Sequence, residues 1–193
     1  MEATLSDSAW EAIHAPYDQA TYQAVLDQLG PQDIILDIGA GDLRLARQMA
    51  HIVQKVYAVE INARVLDQAC DSSHAFPANL IPICADARAL CFPSDITTGV
   101  LLMRHCTCFH LYAEKLQRAG AIRLITNARW RMDMEVVHLL AKRLPFTEAG
   151  MGWYACLCGG TGFKEGPLEH WSLEMDRVTN EVASCPRCMC VEY

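Results

Sequence analysis

The chain has 193 residues, a formal net charge of −7, and 52% hydrophobic residues against 20% charged ones. That composition supports a full apolar core and excludes a disordered chain or one wrapped in nucleic acid. No apolar run reaches the roughly 18 residues needed to span a bilayer. The first residues, Met1 to Ser8, lack the basic start and apolar stretch of a secretory signal, so a cytoplasmic protein is expected.

Asp7 or Ser8 is placed to cap a first short helix, and Tyr17 to Leu29 carries the spacing of a second, closed by Gly30-Pro31. Ile34 to Ile38 is a continuous apolar run ending in the glycine turn Gly39-Ala-Gly41, and Leu43 to Ala50 is the helix that the turn opens. Val56 to Val59 is the next strand and ends on Glu60, 19 residues after Gly41; Ala63 to Ala69 suits the following helix. Asn79 to Cys84 predicts a third strand and Thr97 to Met103 a fourth, with Phe109 to Arg118 a helix. Ala121 to Thr126 predicts a fifth strand and Met132 to Arg143 another helix. Strands alternating with helices predict an α/β fold, a doubly wound and mostly parallel sheet covered on both faces. Ligands of such sheets sit outside the carboxyl ends of the strands. Gly39, Glu60, Asp86 and Arg104-His105 all fall there.

Asp37-Ile-Gly39-Ala-Gly41-Asp-Leu43 has neither the third glycine of a dinucleotide fingerprint, since Arg44 occupies that position, nor the lysine of a phosphate loop. A nucleotide-dependent oxidoreductase is therefore disfavoured. The ordered set from residue 15 to 145 resembles the class I, Rossmann-like methyltransferases that depend on S-adenosylmethionine (SAM), with Leu43 where their pattern has its last glycine. The resemblance implies a cofactor site built from Asp37, Gly39, Ala40, Gly41 and Asp42 around the methionine part. It implies Glu60 on the ribose hydroxyls, Ile61 beside the adenine, and Asp86 accepting from the adenine amino group. The segment Met103 to His110 would lie beside the transferred methyl group, with His105 the candidate catalytic base. Cys106 and Cys108 admit three readings: a nucleophile, metal ligands together with His105 and His110, or apolar cysteines at a helix start.

The ten cysteines argue for reduced thiols or metal rather than disulfides. Cys70, Cys84 and Cys91 are expected to be buried as small apolar residues. Cys156-Leu-Cys158-Gly-Gly and Cys185-Pro-Arg-Cys188 resemble the paired knuckles of a zinc ribbon, a structural Zn²⁺ site of four thiolates in which His170 or Cys190 is a substitute ligand. Trp153–Leu157, His170–Met175 and Val178–Val182 are the candidate ribbon strands. The expected organisation is a SAM-binding domain over residues 1–148 and a zinc-ribbon-like β element over 149–193. Residues 101–145 hold eight Lys/Arg against three acids. That local basic excess, with the ribbon, favours RNA or protein over a small molecule as methyl acceptor. A non-catalytic, zinc-containing adaptor is the alternative.

Overall fold

The structure is a computed structural model and describes residues 17–71, 76–104, 106–130 and 133–189. The expected first helix at Asp7 or Ser8, the base His105 and the spare ligand Cys190 lie outside the described residues.

Five parallel strands and one antiparallel strand form the main sheet, in the order β3-β2-β1-β4-β5-β6. They are β1 (Ile34–Ile38), β2 (Lys55–Glu60), β3 (Leu80–Cys84), β4 (Thr98–Leu101), β5 (Arg123–Thr126) and β6 (Glu135–His138). The helices are α1 (Gln19–Leu26), α2 (Arg44–Ala50), α3 (Ala63–Asp71) and α4 (Phe109–Arg118). β1 and β4 lie at the centre and bury residues on both faces, which is why they read as unbroken apolar runs rather than alternating ones. Ile35, Val56, Val100 and Ile125 pack on one face with Leu45, Ala46 and Met49 of α2. Leu36, Ile38, Leu101 and Leu124 pack on the other with Phe109, Tyr112 and Leu116 of α4.

Two expectations fail here. The helix expected over Met132 to Arg143 is absent among its described residues, 133–143; β6 runs antiparallel to β5, pairing Thr126 with Glu135 and Leu124 with Val137. The reason is non-local: β5 would otherwise end the sheet with a row of unpaired backbone groups, and the β-branched pair Val136-Val137 fits that edge. Cys70, Cys84 and Cys91 are exposed rather than buried. Cys84, for one, ends β3, the edge strand, which lacks a second neighbour to cover it.

A second, three-stranded sheet follows: β7 (Gly152–Cys156), β8 (Thr161–Lys164) and β9 (Thr179–Val182), in the order β8-β7-β9. β8 is antiparallel to β7 and β9 parallel to it. Residues 168–170 and 173–176 are 3₁₀ turns, so the strand expected over His170–Met175 is absent; the segment is the crossover that a parallel β7–β9 pair requires. A four-residue helix, α5 (Pro186–Met189), closes the element.

The ribbon is joined to the main sheet by more than the chain. Ala183 N donates to Leu144 O at 2.8 Å, and Trp153 meets Trp130 edge-on with ring centroids 5.4 Å apart. Leu157 packs into the α4 side of the core.

Candidate functional site

The glycine turn sits at the carboxyl end of β1. Gly39 has φ +77° and Gly41 φ +55°, and Leu43 follows in the same left-handed region at φ +64°. The backbone path therefore persists although its third residue carries a side chain, which is fully buried under α2. Gly39 N and Ala40 N both donate to Val59 O at 2.9 Å, fastening the turn to β2. A Cβ on Gly39 would stand 3.1 Å from the Met103 methyl, whereas one on Gly41 would meet nothing within 4 Å. Open space lies over Gly41.

Glu60 ends β2 with its carboxylate buried. Oε2 accepts from Gly41 N at 2.9 Å and Oε1 from Asn62 N at 2.8 Å. These bonds aim both oxygens and leave each a free lone pair, the arrangement needed to receive two vicinal hydroxyls. Ile61 beside it exposes 60% of its surface, a bare apolar flank for a flat ring. Asp37 lies beneath the turn. Burial, and then the neighbouring Glu60 charge, push its carboxyl up to about 7.

Asp86 stands past the end of β3, but its carboxylate is already forked by Arg88. Arg88 N and Nε donate to Oδ1 at 2.8 and 3.0 Å, and an Nη donates to Oδ2 at 2.8 Å. These bonds hold the Asp86 carboxyl below its usual range. An amino group would have to share Asp86 with that guanidinium. Asp42 is engaged by the first residue of α2: it accepts from Arg44 N at 3.2 Å and pairs with Arg44 Nε at 2.7 Å. The structure thus brings Asp37, Gly39, Ala40, Gly41, Glu60 and Ile61 to one edge, with Asp86 one strand further on.

The second cluster is in the ribbon. One sulfur from each of Cys156, Cys158, Cys185 and Cys188 lies within 4.8 Å of every other. Cys156–Cys188 and Cys158–Cys185 are 3.5 Å apart and Cys185–Cys188 3.7 Å. Zn–S bonds of about 2.3 Å in a tetrahedron put sulfurs about 3.8 Å apart, so the four fit one zinc ion. Gly160 completes the knuckle. Its N donates to Cys158 Sγ at 3.3 Å, and a Cβ there would lie 2.8 Å from Cys185 Sγ. Burial pushes the thiols of Cys156 and Cys158 upward, so they stay protonated without a metal, and a cation bound between the four sulfurs would displace those protons. His170 is exposed on a 3₁₀ turn and is not part of the cluster.

Part of the expected basic segment is engaged within the protein. Arg123 pairs with Asp33 at 2.7 Å and Arg118 with Glu114 at 3.0 Å. Lys115 donates to the carbonyls of Ala87 and Arg88. Arg129 and Arg143 both pair with Glu181 of β9. Arg104 lies over the Tyr17 ring. Apart from the i,i+4 pair of Arg118 with Glu114, these contacts have no sequence signal, because their partners stand far along the chain.

Residues 35–124 match the family model of a methyltransferase domain. That match spans just under half of the chain, on a mostly parallel, Rossmann-like sheet of the kind found in similar methyltransferase structures, and a four-cysteine cluster with metal-binding spacing follows it. Among solved structures it is similar to a precorrin 8W decarboxylase of Methanobacterium thermoautotrophicum (22% identity, TM-score 0.51), covering 60% of this chain and 65% of that one. It is also similar to a precorrin-6y C5,15-methyltransferase of Geobacter metallireducens (16% identity, TM-score 0.50), covering 57% of this chain and 63% of that one. The match thus takes in less than two thirds of either protein, and at these identities it shows the fold alone. No curated protein matches the chain significantly in sequence.

Proposed function

We propose that the protein transfers a methyl group from SAM to a protein acceptor, with a zinc ion holding its C-terminal ribbon together. The observation that carries the cofactor assignment is the pairing of Glu60 with Gly41. A buried carboxylate, aimed by two backbone N–H groups, borders open space at a left-handed glycine turn. The residues present fit SAM: Glu60 for the ribose diol, the turn and Asp37 for the charged methionine part, and Ile61 for the adenine, with Asp86 at its amino group once shared with Arg88.

Bound SAM supplies an activated methyl on a sulfonium, and transfer from it needs alignment more than chemistry. The chain's part is to seat the ribose through Glu60, to let backbone approach at Gly39 and Gly41, and to exclude water with Met103 against the turn. Where the acceptor carries a proton, His105 is the proposed base. The spending of Arg123, Arg129 and Arg143 on internal pairs favours protein over RNA as acceptor, since a nucleic acid needs free cations. Leu43 no longer supports the adaptor reading, because the turn keeps the left-handed backbone there.

Four thiolates leave no open position, so the zinc is structural. The boundary is placed at 148/149, between β6 and β7. Among the described residues no helix is long and apolar enough to cross a membrane. A dense thiol cluster suits a reducing compartment, and the cytoplasm is proposed on that ground. Calorimetric titration with SAM tests the reading: micromolar binding is expected, and no heat with SAM would overturn it.

A further inference from the structure

Ten consecutive residues of the crossover between β8 and β9, 165–174, are exposed. Three of them are large and apolar: Leu168 shows 86% of its surface, Leu173 73% and Trp171 54%. The segment is held in place by 3₁₀ turns over Leu168–His170 and Leu173–Asp176, and by a strand at either end. Large apolar side chains fixed in water so close together, a tryptophan among them, mark a surface that a partner covers.

The charge of the run says what kind of partner. Glu165, Glu169 and Glu174 stand in it, and it contains no Lys or Arg. None of these three carboxylates forms an ion pair among the described residues. Lys164, just before the run, turns its amine onto the carbonyls of Phe146 and Thr147 instead. A cleft of about 220 Å³ lies against the end of the run. Met151, Met175 and Val178 give it apolar walls, and Glu174 is the only charged residue lining it among the described residues. Apolar walls beside one carboxylate suit a lysine or arginine, whose stem packs on apolar surface while its cation takes a charged partner. Methionine walls adapt to either stem. The same carboxylates repel a phosphate backbone, so a nucleic acid does not fit here.

The cleft is tied to the cofactor edge. Its Gly152 precedes Trp153, whose ring meets Phe163 at 5.2 Å and Trp130 at 5.4 Å between centroids. Trp130 follows the carboxyl end of β5, the edge of the main sheet that carries the glycine turn and Glu60. We propose that the exposed run and its cleft dock the protein acceptor, by taking a lysine or arginine of that protein flanked by apolar residues. The proposal rests on the methyltransferase reading above and gives its acceptor a chemistry. The surface holds the acceptor and takes no part in the transfer step.

The test uses Trp171→Ser and Glu174→Lys in the full-length, zinc-loaded protein. The probes are two short synthetic peptides, one of alternating leucine and lysine, the other with glutamate in place of lysine. Calorimetry reads the affinity for each peptide and for SAM. Tritium passed from labelled SAM into the protein and RNA fractions of a cell extract reads transfer. The wild type is expected to bind the lysine peptide and not the glutamate one. Each variant is expected to weaken that binding, and to lower the label delivered to protein, by at least about tenfold. Affinity for SAM is expected to stay within about twofold, since neither residue is among the cofactor candidates. Both side chains are exposed, so the melting temperature should stay that of the wild type. Equal binding of the two peptides would overturn the proposal by showing unselective adhesion. So would wild-type peptide affinity or wild-type labelling of protein in either variant. Label entering RNA instead of protein would overturn it as well. A wild type that binds SAM and labels neither fraction would overturn the transfer reading and the acceptor assignment together. Failure of the docking surface alone leaves protein labelling by both variants intact.

Discussion

Arg129 at the end of the main sheet and Glu181 in the ribbon form a buried ion pair, with guanidinium-to-carboxylate contacts of 2.5 and 3.2 Å, across 52 residues of chain. The Arg129 side chain is 1% exposed, and it also holds Glu135 at 2.6 Å and reaches Cys156 O at 3.4 Å. One guanidinium thus ties together β5, β6, β9 and the first cysteine of the knuckle. Burial works against its charge, and the two carboxylates more than restore it.

Arg129→Ala is therefore expected to cost about 3–5 kcal/mol of stability, the range for removing one partner of a buried pair. Urea unfolding measures this. Glu181→Gln should cost less, since Glu135 still faces the guanidinium. A loss below about 1 kcal/mol for Arg129→Ala would mean the ribbon is held by apolar packing alone.

Glu60→Gln should weaken SAM binding by roughly 10- to 100-fold, because hydrogen bonds to a charged acceptor contribute about 1.5–3 kcal/mol. The melting temperature should fall less than that implies, as an amide oxygen still accepts from one backbone N–H. Titration calorimetry checks it, and unchanged affinity would remove the ribose assignment.

Asp37 gives a pH dependence with a definite sign. Its folded value is raised to about 7, first by burial and then by Glu60. A group raised on folding contributes its stability below the unfolded value, near 4, and loses it as pH climbs toward 7. The cofactor-free protein should thus become less stable between about pH 4 and 7, and Asp37→Asn should flatten that slope. SAM binding should strengthen over pH 6 to 8, because its cationic groups favour the ionised carboxyl. Thermal melts and titrations across pH would show both, and a SAM affinity that falls with rising pH would contradict the placement.

At the knuckle, Gly160→Ala should release zinc, since the added carbon would lie 2.8 Å from Cys185 Sγ. Cys185→Ser should do the same by removing a ligand. Metal analysis is expected to find one zinc per wild-type chain and less in either variant, with a lower melting temperature. A metal-free wild type would remove the zinc assignment.

Leu43→Gly sets two terms against each other. Relieving a left-handed non-glycine residue gains about 1 kcal/mol, while deleting a fully buried leucine side chain costs about 2–5 kcal/mol. A net loss of roughly 1–4 kcal/mol is expected by chemical denaturation, so the departure from glycine is a stabilised one.

Much of the frame was legible. β1 runs over the residues expected of it, and α4 likewise, because each carries its signal locally: an apolar run bounded by glycine, or an apolar stripe at helical spacing. Glu60 was legible as the acid closing a strand. Asp42 was legible only as a neighbour of the turn, and its carboxylate proves to serve α2.

What the sequence determined by itself was the succession of strand, glycine turn, helix, strand and acid, and the two cysteine pairs at knuckle spacing. Those are short-range matters of backbone freedom, periodicity and ligand type. Only the tertiary structure decided that residues 135–138 are a strand and that Arg123, Arg129 and Arg143 of the basic segment are paired with Asp33, Glu135 and Glu181. Each depends on which distant groups arrive beside a given residue. Pairing a sheet edge and neutralising a charge are satisfied by whatever the folded chain brings within hydrogen-bond reach, and that is not written in neighbouring positions.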